Sequence, residues 1–378
     1  MTQPTSFPRA SQQLEAFIAG LPKAELHVHL EGTITPEQRR KFARRNGLPE
    51  DSPHAGWDHD RSVTDPAAYL RKFLDALFDG LSVLRTEKDF FDLTYEFLQK
   101  LHAEKVVYVE ISFDPQSHLP RGIPLAHVIE GIDAGREKAR LDFGIQSNLI
   151  MCINRERTQE EAFDLLQAAR PYRDRIAGIG LDCAEEGNPP IKFKDAYAVA
   201  RAEGYRLTAH CDVNQRNSAT HIWQCLEILG CERIDHGMNC LEDPRLVDRL
   251  GEHEICLTGC PTWRPIDTQP RRMAEIRKMY DRRLRVTINS DDPGLVLSGT
   301  VGGMLSPIAA VADLSAADLV RLMANAIEGS WASPDQKRKF LKQIDDYFAN
   351  WLAETRSKAA LPGSASERNG QVSAENAR

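Results

Sequence analysis

Apolar residues along the chain recur in two alternating rhythms. Short aliphatic, β-branched runs fall at Ala24–Leu30, Val106–Phe113, Ile145–Ile153, Ile176–Cys183, Arg206–Val213, Arg233–Met238, Ile255–Pro261 and Arg285–Asp292. Between the later runs lie stretches with apolar residues at helical spacing, such as Ile191–Glu203, Ala219–Leu229 and Met273–Tyr280. Eight strands alternating with helices predict a parallel α/β sheet, and eight is the number that closes a (β/α)8 TIM barrel. The first connection is longer than the rest: between Glu31 and Lys105 the spacing predicts three helices, near Pro36–Asn46, Pro66–Leu84 and Lys88–Ala103. Such a helical insertion after strand 1 would cover the mouth of the barrel. Residues 1–23 read as an N-terminal arm, 24–356 as the barrel, and 357–378, polar and rich in small residues, as a disordered tail.

Composition narrows the partners. The 378 residues hold 48 Lys and Arg against 55 Asp and Glu, a formal net charge of −7, which argues against nucleic acid or an anionic membrane as the main partner. No apolar run reaches membrane-spanning length, and MTQPTSFPRASQQLEAF has neither the basic start nor the apolar core of a signal peptide, so cytoplasm is the expectation. The eight Cys contain no Cys-x-x-Cys, the closest pair being Cys256 and Cys260. They read as core thiols rather than a disulfide framework. Nothing in the pattern specifies an oligomeric state.

The chemistry starts at ELHVHLEG. His27 and His29 are two apart on a strand and share a face, so both point into the barrel near its C-terminal end. His210 ends the run RLTAHCDV, His236 the run RIDHGMN, and Asp291 and Asp292 the run RVTINSDDPG. Each alone is as well explained by a hydrogen-bonded core histidine or a helix-capping aspartate. Together they fall where a barrel places its catalytic groups. Three imidazoles and one carboxylate suit Zn2+ or another divalent transition metal, which makes hydroxide available near neutral pH. His236 and Asp292 are then left to orient water and move its proton, the machinery of hydrolysis at an electrophilic carbon.

The segments LPKAELHVHLEGT, VLRTEKDFFDLT, EISFDPQSH, RPYRDRIAGIGLD, RIDHGMNCLEDP and TINSDDPG together resemble the adenosine deaminase family of the amidohydrolase superfamily, and its adenine deaminase branch in particular. The resemblance runs from Leu21 to about Ser333. It implies a barrel with one zinc, with His27, His29, His210 and Asp291 at the positions of the metal ligands. His236 matches the catalytic histidine and Asp292 the water-activating aspartate, which also meets the substrate. Nucleoside enzymes carry Asp where Glu31 stands and Gly where Glu185 stands, so both residues imply a free base as substrate. A helix-capping or ion-pair role is the alternative for Glu31.

Two departures bear on the substrate. The family's HAGE, whose Glu protonates the purine ring, is here His210-Cys211-Asp212-Val213, with Val213 at the acid's position. Three readings stay open: Asp212 substitutes, sharing His210's face by strand alternation; the substrate is another activated heterocycle that needs no ring protonation; or the protein binds metal and purine with little turnover. After strand seven the chain reads Cys260-Pro261-Thr262-Trp263-Arg264-Pro265 in place of the branch's polar CPLSN-like turn. Arg264 could hold a carboxylate or phosphate and Trp263 could stack on a ring, or both could be rim residues. The basic run Arg271–Arg285 reads as a solvated helix face. His102-Ala103-Glu104 is not followed by Pro-Cys-x-x-Cys, and His118, His127, His221 and His253 read as surface or capping residues.

Overall fold

The computed structural model describes residues 9–54, 65–211, 216–261, 271–295 and 299–360. Its strands are β1 (Lys23–His29), β2 (Val106–Phe113), β3 (Gln146–Asn154), β4 (Gly178–Asp182), β5 (Arg206–Leu207), β6 (His210–Cys211), β7 (Arg233–His236), β8 (Cys256–Gly259) and β9 (Arg285–Ile288). All pairings are parallel, in the orders β1-β2-β3-β4-β5 and β6-β7-β8-β9. The two sheets form one ring. β5 and β6 occupy a single strand position, and hydrogen bonds from Thr208 N to Ile179 O (3.0 Å) and from Asp235 N to Ala209 O (2.9 Å) carry the ladder across the step between them. At the other seam Val28 bridges Asp291; His29 N donates to Asp291 O (2.9 Å) and Asp291 N to His27 O (3.2 Å).

Helices cover the outside of the ring, so strands buried on both faces read as nearly continuous apolar runs. Every residue of β1 is buried. The insertion after β1 holds helices Pro36–Arg45, Pro66–Leu81 and Glu87–Ala103. Thr35 with Gln38 and Thr86 with Asp89 form capping boxes at the first and third, and Asp65 caps the second. The third lies against Leu125–Phe143 at a distance only glycine allows: a Cβ on Gly131 would meet Glu87 O at 2.3 Å.

Several expectations are refined. The fifth strand is seen at Arg206–Leu207 and His210–Cys211, while Asp212 and Val213 lie outside the described residues. The arm carries a helix, Gln12–Gly20, whose buried Phe17 packs against Tyr347, Phe348 and Trp351 of the last helix, Pro334–Ala360. That helix runs past Ser357, where the tail was expected to begin. In the basic run, Arg272 turns inward and is only 5% exposed, because its helix packs one face on the barrel. All eight cysteines are unbridged, seven of them buried. No helix among the described residues is long and apolar enough to cross a membrane.

Lys23 closes the N-terminal end of β1. Its Nζ is buried and donates to Leu21 O (2.9 Å) and Glu104 O (2.8 Å). Burial lowers its pKa from 10.5 to about 8, against the pull of Glu104. Between those two values the unfolded chain holds a proton that the folded chain has released, so stability rises with pH across this window. In urea titrations between pH 8 and 10.5, the wild type gains on Lys23→Met by about 1–3 kcal/mol. Parallel stability profiles would refute this.

Candidate active site and metal centre

The C-terminal ends of three strand positions, β1, β5/β6 and β9, bring the expected ligands together. One donor atom from each of His27, His29, His210 and Asp291 lies within 4.8 Å of the others, and all four residues are buried. His29 Nε2 and His210 Nε2 stand 3.0 Å apart. Asp291 Oδ1 is 3.3 Å from His27 Nε2 and 3.9 Å from His29 Nε2. His27 Nε2 has no hydrogen-bond partner. Buried nitrogens that crowd one another without a proton between each pair fit a shared divalent cation, and the donor set is that of a catalytic metal site. Burial lowers the pKa of His27, and that of His210 further with help from neighbouring histidines, which favours the neutral imidazoles such a site requires; at His29 burial acts the same way, but Asp114, Asp292 and Asp182 outweigh it and raise the pKa. Burial resists charge on Asp291, yet His236 and His27 hold its pKa well below the ordinary range.

The tautomers are set from behind. Thr258 Oγ1 gives its proton to Asp235 Oδ1 (2.8 Å), so at 2.9 Å it must accept from His27 Nδ1, and the Nε2 lone pair is left facing the centre. Thr208 Oγ1 donates to the other oxygen, Oδ2 (2.7 Å), which lies 3.7 Å from His210 Nδ1. Burial disfavours charge on Asp235, but His27, His210 and Arg233 keep it ionised. Arg233 is itself paired with Glu110 and stacked 4.2 Å from the Trp331 ring. His29 Nδ1 sits 3.6 Å from Asp114 Oδ2 and 3.7 Å from Asp182 Oδ2. Burial opposes the charge of Asp114, but hydrogen bonds from Asp182 and His29 lower its pKa to about 2. Asp182 is raised by burial and by the Asp114 charge, so the pair retains one proton.

His236 and Asp292 line the same cavity as His29, His210 and Asp291. The His236 ring is 4.7 Å from that of His27 and 5.2 Å from that of His210. His236 and Asp291 adopt left-handed backbone, φ 60° and 64°, uncommon for residues with side chains and concentrated where a site requires it. Gly32 leaves room for Asp292: a Cβ there would come within 1.9 Å of Oδ1. The opposite wall is the helix Pro66–Leu81, which presents Leu70, Phe73, Leu74, Leu77 and Phe78.

Neither Glu31 nor Glu185 lines the cavity. Glu31 is buried and accepts from His118 Nε2 (2.8 Å) and Asp114 N (3.1 Å). Glu185 is buried between His221 Nδ1 and Arg155, whose Nη1 also donates to His210 O (3.0 Å). His118 and His221 are therefore interior partners of carboxylates rather than surface residues: each lies on a helix whose inner face seals a loop at the mouth. Asp212, Trp263 and Arg264 lie outside the described residues. Sequence reasoning passed over Asp114 and Asp182, although each ends its strand run as His210 does. Asp235 and Thr258 gave no such signal, because each lies inside its strand, the two side by side in register, rather than at a strand end.

Residues 22–347 match the adenosine deaminase family. The chain is 42% identical over 340 residues to an uncharacterized deaminase of Schizosaccharomyces pombe, covering 88% of this chain and 98% of that one. Adenine deaminase from Arthrobacter aurescens superposes with a TM-score of 0.80 at 34% identity, over 87% of this chain and all of that one. An amidohydrolase from Burkholderia ambifaria with bound zinc gives 0.77 at 29% identity, over 93% and 100%.

Two substitutions separate metal binding from chemistry. Thr258→Val frees the His27 tautomer and weakens metal affinity by about 10–100-fold, read by competition with a chelating dye; unchanged affinity would remove Thr258 from the site. Gly32→Ala displaces the Asp292 carboxylate and lowers kcat roughly 100-fold with metal content intact; equal loss of both would mean that Gly32 only supports the fold.

Proposed function

The chain belongs to the adenosine deaminase family of hydrolytic deaminases, and we propose that it is a zinc-dependent deaminase of a purine-type free base, adenine or a related or substituted aminopurine. The observation that carries this reading is the convergence of His27, His29, His210 and Asp291 beside His236 and Asp292. Adenine is the base named for the Arthrobacter relative, and zinc the metal named for the Burkholderia one.

His27, His29, His210 and Asp291 would hold a divalent cation, whose Lewis acidity would make water a usable nucleophile at neutral pH. An oxygen of the Asp292 carboxylate takes the proton from the attacking water and delivers it to the departing amine. A ring N–H of His236 holds the attacking oxygen in line with the amino-bearing ring carbon. The apolar helix Pro66–Leu81 keeps bulk water out. The cavity between this helix and the ligands is narrow, about 40 Å³. Glu31 and Glu185 contribute from behind, Glu31 by fixing the Asp114 loop and Glu185 by holding Arg155 against the His210 strand.

Val213 favours a second reading, hydrolysis of another activated, possibly acidic heterocycle that needs no ring protonation. In the first reading Asp212 supplies the ring proton; in the second Asp292 serves alone. Ammonia release by zinc-loaded protein is measured against aminopurines, aminopterins and aminopyrimidines. The expected result is turnover that chelation abolishes and that His236→Ala or Asp292→Asn lowers by about 10²–10⁴-fold without loss of metal. Rapid turnover of adenine, diminished in Asp212→Asn, supports the first reading. Turnover only of other rings, indifferent to Asp212→Asn, supports the second. Protein that stays metal-free when offered zinc would overturn both.

A further inference from the structure

The catalytic cavity does not end at the apolar helix. Phe78, Leu81 and Ser117 line it and also line a surface groove of some 460 Å³ bounded by Arg71, Gln116, Arg121, Asn154, Glu156 and Arg157. The two spaces adjoin across these three side chains at the C-terminal end of the barrel, where Gln116 follows β2 and Asn154 closes β3. We propose that the substrate carries an anionic group, a phosphate or a carboxylate, away from its reacting carbon, and that the groove bounded by Arg71, Arg121 and Arg157 receives it. This inference rests on the deaminase reading and names a substrate class for it.

Charge supports it first. Three guanidinium groups face the groove against one carboxylate, Glu156. Arg71 pairs with Glu156 across it (2.8 Å), with the arginine half-exposed. Arg157 pairs with Glu161 (2.9 Å), also near the surface. Exposed pairs of this kind hold their partners weakly, so an incoming anion can share or replace them. Among the described residues, no carboxylate lies within ion-pair distance of Arg121. Its guanidinium donates to Ser117 O (3.1 Å), Ser82 O (2.7 Å), Leu84 O (3.3 Å) and His118 Nδ1. Burial and the nearby Arg85 lower its pKa to about 10, with Glu31 opposing, so an anion in the groove would relieve a cation short of countercharge.

Geometry supports it next. A free base held at the metal ligands would leave the groove unfilled. A ring substituent directed past Ser117, Phe78 and Leu81 would reach the guanidinium groups of Arg71 and Arg157, whose planar donors suit the paired oxygens of a carboxylate or phosphate, with the Arg121 charge behind them. The Asn154 and Gln116 side chains add polar edges to the same space.

The test compares matched heterocyclic amines, neutral, carboxylate-bearing and phosphate-bearing, as substrates of the zinc-loaded full-length protein. One anionic member is expected to exceed the neutral one in kcat/KM by roughly tenfold or more, the worth of a single charge-assisted contact, and the member preferred identifies the anion. In Arg71→Gln/Arg157→Gln that ratio falls toward one. Arg71→Gln alone, at a half-exposed position, keeps the comparison available if the double variant does not fold. Equal use of neutral and anionic members, or a ratio unmoved by the variants, overturns the proposal. Calorimetric titration with inorganic phosphate probes the groove apart from catalysis. Binding lost in the variants supports the groove even if no ring is turned over, which would instead count against the deaminase substrate class. Absence of binding counts against the groove alone.

Discussion

Burying several ionisable groups side by side is the condition this molecule is built around. Asp114, Asp182, Asp235, Asp291 and Asp292 all lie within the barrel mouth at under a tenth of their free exposure, interleaved with four histidines. Left in apolar surroundings, carboxylates at this density would take up protons rather than stay charged. Arg233 compensates Asp235 from beneath, burial and the Asp114 charge favour the protonated form of Asp182, and the imidazoles cluster where a divalent cation would offset the charge of Asp291. The metal centre is thus the solution to an electrostatic problem as well as a source of reactivity.

The supports are layered by depth. At the floor, Glu110, Arg233 and Trp331 form a fixed block. One pleat nearer the mouth, Asp235 accepts from Thr208 and Thr258 and so turns two histidines at once. At the rim, His118 with Glu31 and His221 with Glu185 tie loops to the strand ends. Each layer is buried and hydrogen-bonded, so an error in one tilts the ligand above it by a fraction of an ångström, the scale on which ligand geometry is decided.

The strand count and the convergence of His27, His29, His210 and Asp291 were legible because both obey rules of period. Alternation put His27 and His29 on one face, and the end of an apolar run marked His210, His236 and Asp291. Asp114 and Asp182 obey the same rule and could have been found by it. Partnership across the chain was not legible: nothing in the local spacing links His118 to Glu31, 87 residues away, or Glu185 to His221. Both histidines lie on helices, where periodicity distinguishes inner from outer face only loosely at four to seven residues. The closing seam was likewise hidden, since a single bridge between Val28 and Asp291 carries no pattern of its own.

That seam has a consequence for biogenesis. The amide of Asp291 is held by the carbonyl of His27 and its carbonyl holds the amide of His29, so the hydrogen bonds that shut the ring are the ones that set the ligand. Two segments more than 250 residues apart in a 378-residue chain must meet for either to happen. A ribosome therefore has to deliver most of the polypeptide before the site can capture an ion, and a nascent fragment ending short of β9 would present an open sheet edge and a partial set of donors. The four-residue donor set is therefore complete only when the ring itself is closed.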